Sequence, residues 1–221
     1  MFKLLIFDWD GTLMDSAARI VSSMQSAANS LSLKVPGSEA VRDIIGLSLE
    51  HAINILIPGI SPADNQQLSD AYSQHYRYHD QSPTPLYPGV EQSLQSLNSK
   101  GYLLAVATGK GRAGIDRVFT QTGLGPLFIA SRGADETKSK PDPLMLKQIL
   151  EQTGVSAQQA LMIGDTSYDL EMAQRIAMPS IAVSYGMHAL EKLRSYQPIL
   201  EVDKFQQIET WLDRQMEKKC E

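Results

Sequence analysis

Six short apolar runs, separated by helical patterns, constrain the fold of this chain more than any other feature. They are residues 3–7, 102–108, 127–131, 160–165, 180–184 and 198–200. None of them alternates cleanly between apolar and polar residues. Continuous apolar runs of this length are typical of strands that are covered on both faces, as in a parallel sheet.

The segments between these runs have helical patterns with recognisable ends. Residues 88–101 and 141–154 each stop at a glycine, Gly101 and Gly154, and residues 203–218 form a third helical pattern. Glycine just past the last helical position is a common helix end. The alternation of strands and helices predicts a doubly wound, Rossmann-like α/β fold around a parallel sheet, with right-handed crossovers.

One long segment departs from this alternation. Residues 15–84 read as several helices without a convincing strand, with Ser38 and Ser61 as expected helix caps and Pro62 in a first turn. The proline-rich stretch 82–89 reads as a linker. We therefore predict a helical insert, residues 15–84, in an α/β core formed by residues 1–14 and 85–221.

Charge and cysteine content narrow the classes of partner. A net charge of −5 argues against a large nucleic-acid or anionic membrane surface. The single cysteine, Cys220, indicates a reducing compartment, and the Lys218–Lys219 pair a solvated helix end. Neither a signal peptide nor a membrane-spanning run is recognised. We expect a cytoplasmic monomer or homodimer that acts on a small metabolite.

Chemically useful side chains follow several of the apolar runs. They are Asp8 and Asp10 after the first run, Thr108, Gly109 and Lys110 after the second, Asp165 and then Asp169 after the fourth, and Lys140 before a later helix. The carboxyl ends of parallel strands meet at one edge of a sheet, so these groups are expected to converge. Clustered carboxylates stay ionised when they share a cation, and oxygen-only ligands favour Mg²⁺.

A cation held by carboxylates, with lysine and threonine beside it, suits a phosphoryl group. Asp8 could then attack phosphorus as a nucleophile. Asp10, two residues later, could protonate the leaving oxygen and afterwards activate water. The sequence therefore predicts a two-step phosphoryl transfer through an aspartyl phosphate.

These residues also carry a family resemblance. Asp8-Trp9-Asp10-Gly11-Thr12, Thr108-Gly109, Lys140-Pro141, and Gly164-Asp165 with Asp169 match, in order, the four motifs of the haloacid dehalogenase-like phosphohydrolases. Over about residues 3–200 the chain is similar to the phosphoglycolate phosphatase-like branch. The helical insert falls where that branch carries an α-helical cap.

The resemblance implies a role for each acidic residue. Asp8 would be the nucleophile and Asp10 the general acid and base. Mg²⁺ would bind Asp8, the backbone carbonyl of Asp10, and Asp165. Asp169 would lie in the outer shell of the metal or orient Lys140.

The resemblance also assigns the phosphate-binding groups and a mobile turn. Thr108, the backbone of Gly109 and Lys140 would hold the phosphate, although many relatives have asparagine in place of Gly109. Gly11 and Thr12 would form a mobile turn that couples closure of the cap to chemistry.

The loop of residues 44–51 resembles the cap loop that selects the substrate. Gly46 and Ser48 match it, but Leu49 stands where related sugar-phosphate mutases tend to place a basic residue, and Arg42 could still contribute a positive charge. Phosphatase is therefore favoured over mutase, with pyrophosphatase a further alternative. Phosphoglycolate, a sugar phosphate, a nucleotide and pyrophosphate are all compatible substrates.

Two other classes of protein compete with this hypothesis. Residues 109–114 match G-x-G-x-x-G, and Asp135 and Glu136 lie near the distance expected for a ribose-binding acid, which would suit a dinucleotide-binding oxidoreductase. A phospho-accepting receiver domain needs similar strand-end residues but no helical insert. His75 and His79, four residues apart, form a possible metal pair without an evident third ligand.

Overall fold

The apolar runs form one six-stranded sheet in the computed structural model, which describes residues 2–217. The strands are β1 (Leu4–Phe7), β2 (Leu103–Ala107), β3 (Phe128–Arg132), β4 (Ala160–Gly164), β5 (Ser180–Val183) and β6 (Leu200–Val202). Their spatial order is β3-β2-β1-β4-β5-β6, and every neighbouring pair is parallel. The predicted doubly wound α/β fold is confirmed.

Helices connect and flank these strands. They are α1 (Ala17–Ser30), α2 (Ser38–Asp43), α3 (Leu49–Leu56), α4 (Pro62–Gln74), α5 (Val90–Ser99), α6 (Arg112–Thr122), α7 (Leu144–Thr153), α8 (Ser167–Gln174), α9 (Leu190–Arg194) and α10 (Gln206–Glu217). A π-helical turn, His75–His79, continues α4, and Gly125–Leu127 and Ala157–Gln159 are 3₁₀ turns. Over residues 2–217, no helix is long and apolar enough to cross a bilayer.

Several boundaries differ from the sequence-based expectation. The last strand begins at Leu200 rather than residue 198, because Leu200 is the residue that pairs with Ile181 of β5. Gly37, not Ser38, is the N-cap of α2, whereas the Ser61 hydroxyl does cap α4 by accepting from the Asp64 amide. Lys218 and Lys219, which were expected at a solvated helix end, and Cys220 lie outside the described residues.

The sheet has a separate hydrophobic core on each face. Successive residues of β1 point to opposite faces, so Leu5 and Phe7 belong to one core and Leu4 and Ile6 to the other. All four are fully buried. Burying each such side chain stabilises the fold by about 1.5–3 kcal/mol. This double coverage explains why the strands are apolar throughout.

The helical insert has a hydrophobic core of its own. Apolar residues of α1 to α4 pack together, with Met24, Ile53 and Leu68 almost completely buried among them. Two short segments join the insert to the sheet and pair with each other, since Asp15 donates to the Pro85 carbonyl and Tyr87 to that of Leu13. The exact division at residues 14/15 and 84/85 stays a prediction.

The sheet order determines where strand-end residues meet. β1 lies between β2 and β4. From β1 the chain adds β2 and β3 on one side, and then crosses back to add β4, β5 and β6 on the other side. Ligands of doubly wound sheets bind at the carboxyl ends of strands beside such a reversal. Asp8, Thr108 and Asp165 directly follow these three strands.

Candidate active site

A buried tryptophan anchors the acidic turn that follows β1. Trp9 packs edge-on against Phe119 and Phe128, with ring centroids 5.5 and 6.2 Å away. Its neighbours Asp8 and Asp10 are 0% and 7% exposed. The turn thus places two carboxylates in a largely dry environment, where their charges need specific partners.

Lys140 provides the positive charge at the centre of the site. Its ammonium lies 2.8 Å from Asp8 Oδ1 and 2.6 Å from Asp169 Oδ1, and all three side chains are completely buried. Burial opposes the charge of Lys140, but the carboxylates of Asp169 and Asp8 outweigh it and raise the pKa of the lysine. Lys140 therefore stays charged and links the end of β1 to the first turn of α8.

Three carboxylates cluster beside this one lysine, and two of them, Asp8 and Asp169, pair with it. Asp8, Asp165 and Asp169 each offer an oxygen atom within 4.8 Å of the others. Burial, opposed by Lys140 and aided by Asp169, raises the pKa of Asp8 from 3.8 to about 7. Burial and the charges of Asp8 and Asp169 also raise the pKa of Asp165. The cluster is thus short of positive charge.

The hydrogen bonds of these carboxylates show where a cation fits. Asp165 accepts from Thr12 Oγ1 at 2.8 Å and from the Met187 amide at 2.9 Å. Asp8 Oδ2, by contrast, is buried and has no hydrogen-bond partner within residues 2–217. A hard divalent cation with oxygen ligands would satisfy this atom and offset the negative charge.

Asp169 has a local structural role as well. Its Oδ2 accepts from the Thr166 amide and hydroxyl, so that the two residues form a capping box at the start of α8. Its other oxygen binds Lys140. With both oxygens engaged, Asp169 is better placed to orient Lys140 than to bind a metal directly.

Asp10 is held by two residues. The Ser16 hydroxyl donates to its Oδ1, and Lys110 Nζ lies 2.8 Å from its Oδ2. Lys110 was predicted to lie among the strand-end residues, without a role of its own, and Ser16 was not predicted to reach the site. Nothing in the local sequence marks Ser16, because only the fold of the turn brings it to Asp10.

The turn after Asp10 requires glycine. Gly11 has a φ of +84°, and a Cβ atom there would lie 2.1 Å from Asp165 Oδ2. Thr12 is fully buried, and besides its bond to Asp165 its carbonyl accepts from the Tyr185 hydroxyl at 3.0 Å. Both residues therefore contact the carboxylate cluster; their predicted mobility stays a prediction.

Thr108 and Gly109 lie where β2 meets the helical insert. Thr108 is buried, and its Oγ1 accepts from the Lys110 amide at 3.3 Å. A Cβ at Gly109 would lie 2.4 Å from the Leu47 carbonyl oxygen and 2.6 Å from that of Gly46. Glycine thus lets the 46–47 loop pack directly on the end of β2.

A cavity of about 480 Å³ lies between the helical insert and the core, and Asp10, Gly109 and Lys110 line it. Gly46 and Leu49 also line it, as expected for the substrate loop. Arg42 does not: it is exposed on α2 and outside the lining. The structure therefore gives no support to Arg42 as a substrate-binding cation.

The glycine-rich motif has a different role from nucleotide binding. Both carboxylate oxygens of Asp135 accept from the Arg112 amide at the start of α6, at 2.9 and 3.0 Å. Glu136 pairs with the Arg112 guanidinium at 2.7 Å. An aspartate therefore occupies the helix end where a pyrophosphate would bind in a dinucleotide-binding fold, which argues against the oxidoreductase alternative.

His75 and His79 stack edge-on, with ring centroids 5.3 Å apart. Within residues 2–217, the aspartate cluster is the one group of three or more acidic, histidine or cysteine residues close enough to share a metal. The histidine pair therefore has no third ligand in the described chain.

Comparison with known proteins relates this chain to a family of hydrolases. Residues 5–183 match the family model for haloacid dehalogenase-like hydrolases. The probable phosphatase IndB of Dickeya dadantii is 34% identical over 94% of this chain and 92% of its own. A phosphoglycolate phosphatase of Vibrio cholerae is 30% identical over 89% and 90%.

A solved structure shows the same fold. A hydrolase from Pseudomonas syringae superposes with a TM-score of 0.87 at 22% identity, over 97% of this chain and 99% of that one. The family model covers most of the sequence, including the acidic turn and Asp165. The resemblance seen in the sequence is confirmed, and the chain belongs to the haloacid dehalogenase-like hydrolase family.

Proposed function

We propose that this protein is a Mg²⁺-dependent phosphatase that hydrolyses a small phosphomonoester through an aspartyl phosphate on Asp8. The observation that carries the proposal is the orphaned Asp8 Oδ2, buried beside Lys140, Asp165 and Asp169. A carboxylate oxygen without a partner, at the edge where the strands end, is available to a cation or to an electrophilic phosphorus.

Each residue of the cluster would contribute a separate function. Asp8, the backbone carbonyl of Asp10, and Asp165 would hold Mg²⁺. When bound, the ion supplies positive charge to the phosphoryl oxygens. Lys140, oriented by Asp169, would add a second positive charge to the same oxygens.

The chain's own residues account for the bond changes. Asp8 attacks phosphorus with one carboxylate oxygen, the bond to the leaving alcohol breaks, and Asp10 gives that oxygen its proton. Asp10 then takes a proton from water, which attacks the phosphorus of the aspartyl phosphate and regenerates Asp8. The Thr108 hydroxyl and the Gly109 amide would donate to phosphoryl oxygens throughout.

The helical insert would act as a cap that selects the alcohol. The cavity between insert and core has room for a small metabolite, and it opens beside Asp10. Leu49, rather than a basic residue, lines it, which favours hydrolysis over mutase activity. The names of the relatives make phosphoglycolate the first compound to test.

The direct test is release of inorganic phosphate from a panel of phosphomonoesters and pyrophosphate, with Mg²⁺ and with EDTA. We expect release that requires Mg²⁺. Asp8→Asn should abolish turnover and Asp10→Asn should reduce it by about 10²–10⁴-fold, as loss of a general acid does.

Arg175→Gln is the matched control, because Arg175 is exposed at the end of α8 and its one ion pair within residues 2–217 is with Glu171. It should retain wild-type turnover. Wild-type activity of the Asp8→Asn protein would refute the mechanism. Failure of the folded, Mg²⁺-loaded protein to release phosphate from any compound in the panel would count against the phosphatase function itself.

A further inference from the structure

The helical insert meets the core at the backbone carbonyl of Asp43, the last residue of α2. The final carbonyls of a helix have no partner within the helix. Here two core side chains reach this one carbonyl: the Tyr168 hydroxyl donates to it at 2.8 Å, and Nε2 of His188 lies 3.0 Å from it. A carbonyl oxygen has two lone pairs, so the core satisfies this end of the insert completely.

The direction of the His188 hydrogen bonds follows from its other ring nitrogen. The Ser167 amide donates to Nδ1 at 2.9 Å, so Nδ1 carries no hydrogen. The neutral ring then has its N–H at Nε2, which donates to the Asp43 carbonyl. His188 is only 4% exposed. Leaving either nitrogen without its partner is therefore costly, because water does not replace it.

The segment that carries His188 also wraps around Asp165. The Met187 amide donates to Asp165 Oδ2 at 2.9 Å, and the His188 amide donates to the Asp165 carbonyl at 3.3 Å. A Cβ at Gly186 would lie 2.1 Å from the Cβ of Asp165, so the loop packs directly against this residue. Residues 186–188 thus fix the backbone and one carboxylate oxygen of Asp165.

The ring of His188 supports α8 as well. Ser167 is the first residue of α8, and its amide is one of the donors that lack a partner within the helix. The same first turn contains Asp169, which binds Lys140. The His188 ring therefore joins the helical insert to both core segments that carry the aspartate cluster.

We propose that His188 is a positioning residue that couples the closed position of the helical insert, packed on the core, to Mg²⁺ binding at Asp165. This inference rests on the metal site of the proposed function. When the insert moves away, the buried N–H of His188 loses its partner, the ring turns towards water, and the loop that holds Asp165 loosens. Mg²⁺ therefore binds more tightly to the closed form, and by linkage bound Mg²⁺ holds the insert closed.

Two substitutions separate the contact with the insert from the contacts within the core. Within residues 2–217, the Tyr168 hydroxyl makes one hydrogen bond, to Asp43, and the ring packs edge-on against His188 with centroids 5.2 Å apart. Tyr168→Phe removes the bond to the insert and keeps the ring. His188→Asn keeps an acceptor for the Ser167 amide, but its side chain is too short to reach Asp43.

The first readout is Mg²⁺ affinity, measured by calorimetry without substrate. Tyr168→Phe and His188→Asn should each weaken binding about 2–10-fold, as loss of one hydrogen bond does. Tyr102→Phe is the matched control, because Tyr102 precedes β2 at the edge of the sheet opposite the site, and it should keep the wild-type affinity. Wild-type affinity of His188→Asn would overturn the role of His188, and wild-type affinity of Tyr168→Phe would overturn the coupling to the insert.

The reciprocal effect is measured by hydrogen exchange at the insert. The Ser48 amide donates across the same boundary to the Ser139 hydroxyl at 2.9 Å, so its exchange reports opening of the insert. Mg²⁺ should slow this exchange in the wild-type protein, by a factor similar to the affinity lost in the variants. It should slow it much less in His188→Asn. Exchange that Mg²⁺ does not slow in the wild-type protein would refute the coupling.

Turnover separates this inference from the phosphatase proposal. With any substrate of the panel, the loss of kcat/KM in Tyr168→Phe should shrink as Mg²⁺ is raised, because more Mg²⁺ repopulates the closed form. A loss that does not depend on Mg²⁺ would count against the coupling and leave the phosphatase function standing. Calorimetry and hydrogen exchange need no substrate. If no compound is hydrolysed, the phosphatase proposal fails, and these two measurements still decide the coupling.

Discussion

Replacing Asp8 by asparagine is expected to make the magnesium-free protein more stable at pH 8, although it removes the proposed nucleophile. Asparagine keeps a carbonyl oxygen for Lys140. Its amide N–H groups can donate to neighbouring carboxylates, where Asp8 Oδ2 now has no partner in the described chain. The substitution therefore removes a buried charge without leaving a cavity.

The size of the effect follows from the pKa of Asp8, which is raised from 3.8 to about 7 mainly by burial. Between these values the folded state binds more protons than the unfolded state, so the free energy of unfolding falls as pH rises. At about 1.4 kcal/mol for each pKa unit, the cost of the charged Asp8 is about 4 kcal/mol at pH 8 and about 2 kcal/mol at pH 5.

Coulomb energies show why desolvation, rather than the neighbouring charges, determines the direction of the pKa shift of Asp8. Two carboxylates at the 4.8 Å limit of the cluster repel by about 3 kcal/mol at an effective dielectric constant of 20. Asp8 has two such neighbours, Asp165 and Asp169. Its attraction to Lys140 at 2.8 Å is about 6 kcal/mol on the same scale. The pairwise terms nearly cancel, so desolvation of Asp8 determines the sign.

The assay is urea unfolding of both proteins in EDTA at pH 5, 6, 7 and 8. Asp8→Asn should be more stable at pH 8, and its advantage should shrink by about 2–3 kcal/mol on going to pH 5. Mg²⁺ should then stabilise the wild-type protein, by about 2.7 kcal/mol at a hundredfold excess over Kd, and stabilise the variant much less.

Asp203→Asn serves as the control for this experiment, because Asp203 is exposed. Its stability should stay within about 0.5 kcal/mol of the wild-type value at every pH. An Asp8→Asn protein that is less stable than wild type at pH 8 in EDTA would refute the reasoning. So would an advantage that does not change with pH.

Three further substitutions probe other contacts of the site. Lys140→Met should lower the free energy of unfolding by about 3–5 kcal/mol at pH 7, because it leaves buried carboxylates without their cation. Urea unfolding measures this change, and added Mg²⁺ should recover part of the lost stability. Gly11→Ala should abolish Mg²⁺-induced stabilisation in thermal melts, since its Cβ would lie 2.1 Å from Asp165 Oδ2. Gly109→Asn should push the Leu47 loop off the end of β2 and speed proteolysis of the helical insert.

Each of these expectations has a clear contrary result. Wild-type stability of Lys140→Met would show that the carboxylates are not charged together in the folded state. Normal Mg²⁺ stabilisation of Gly11→Ala would show that the turn can move away from Asp165 at little cost. An unchanged proteolysis rate for Gly109→Asn would mean that the contact with Leu47 does not hold the insert in place.

The local sequence was sufficient to predict the strands and most of the helices. A strand buried on both faces must be apolar throughout, so β1 and β4 were recognisable from their runs alone. Residues 109–114, which lead into α6, also match a glycine-rich nucleotide-binding motif, so the sequence left a dinucleotide-binding alternative open. The structure resolves that ambiguity through Asp135, which is 23 residues away from Arg112 in sequence and occupies the helix end.

Residue type and order predicted the candidate site, because the predicted chemistry needs a nucleophile, a lysine and metal-binding carboxylates close together at one edge of the sheet. Asp8, Lys140 and Asp165 were all predicted, and the structure brings them together. Ser16, Tyr168 and His188 were not predicted to contact the site or one another. Their proximity depends on how the helical insert packs against the core, and no local pattern encodes a distance between side chains from separate elements.

The sequence by itself determined the fold class, the helical insert and the acidic cluster, since each depends on patterns within a few residues of one another. The tertiary structure decided which oxygen of Asp8 is left without a partner and which core side chains hold the carbonyl of Asp43. These depend on burial and on contacts between residues far apart in the chain. They set the energy of buried charges and hydrogen bonds, and so they carry the proposals about the metal and the helical insert.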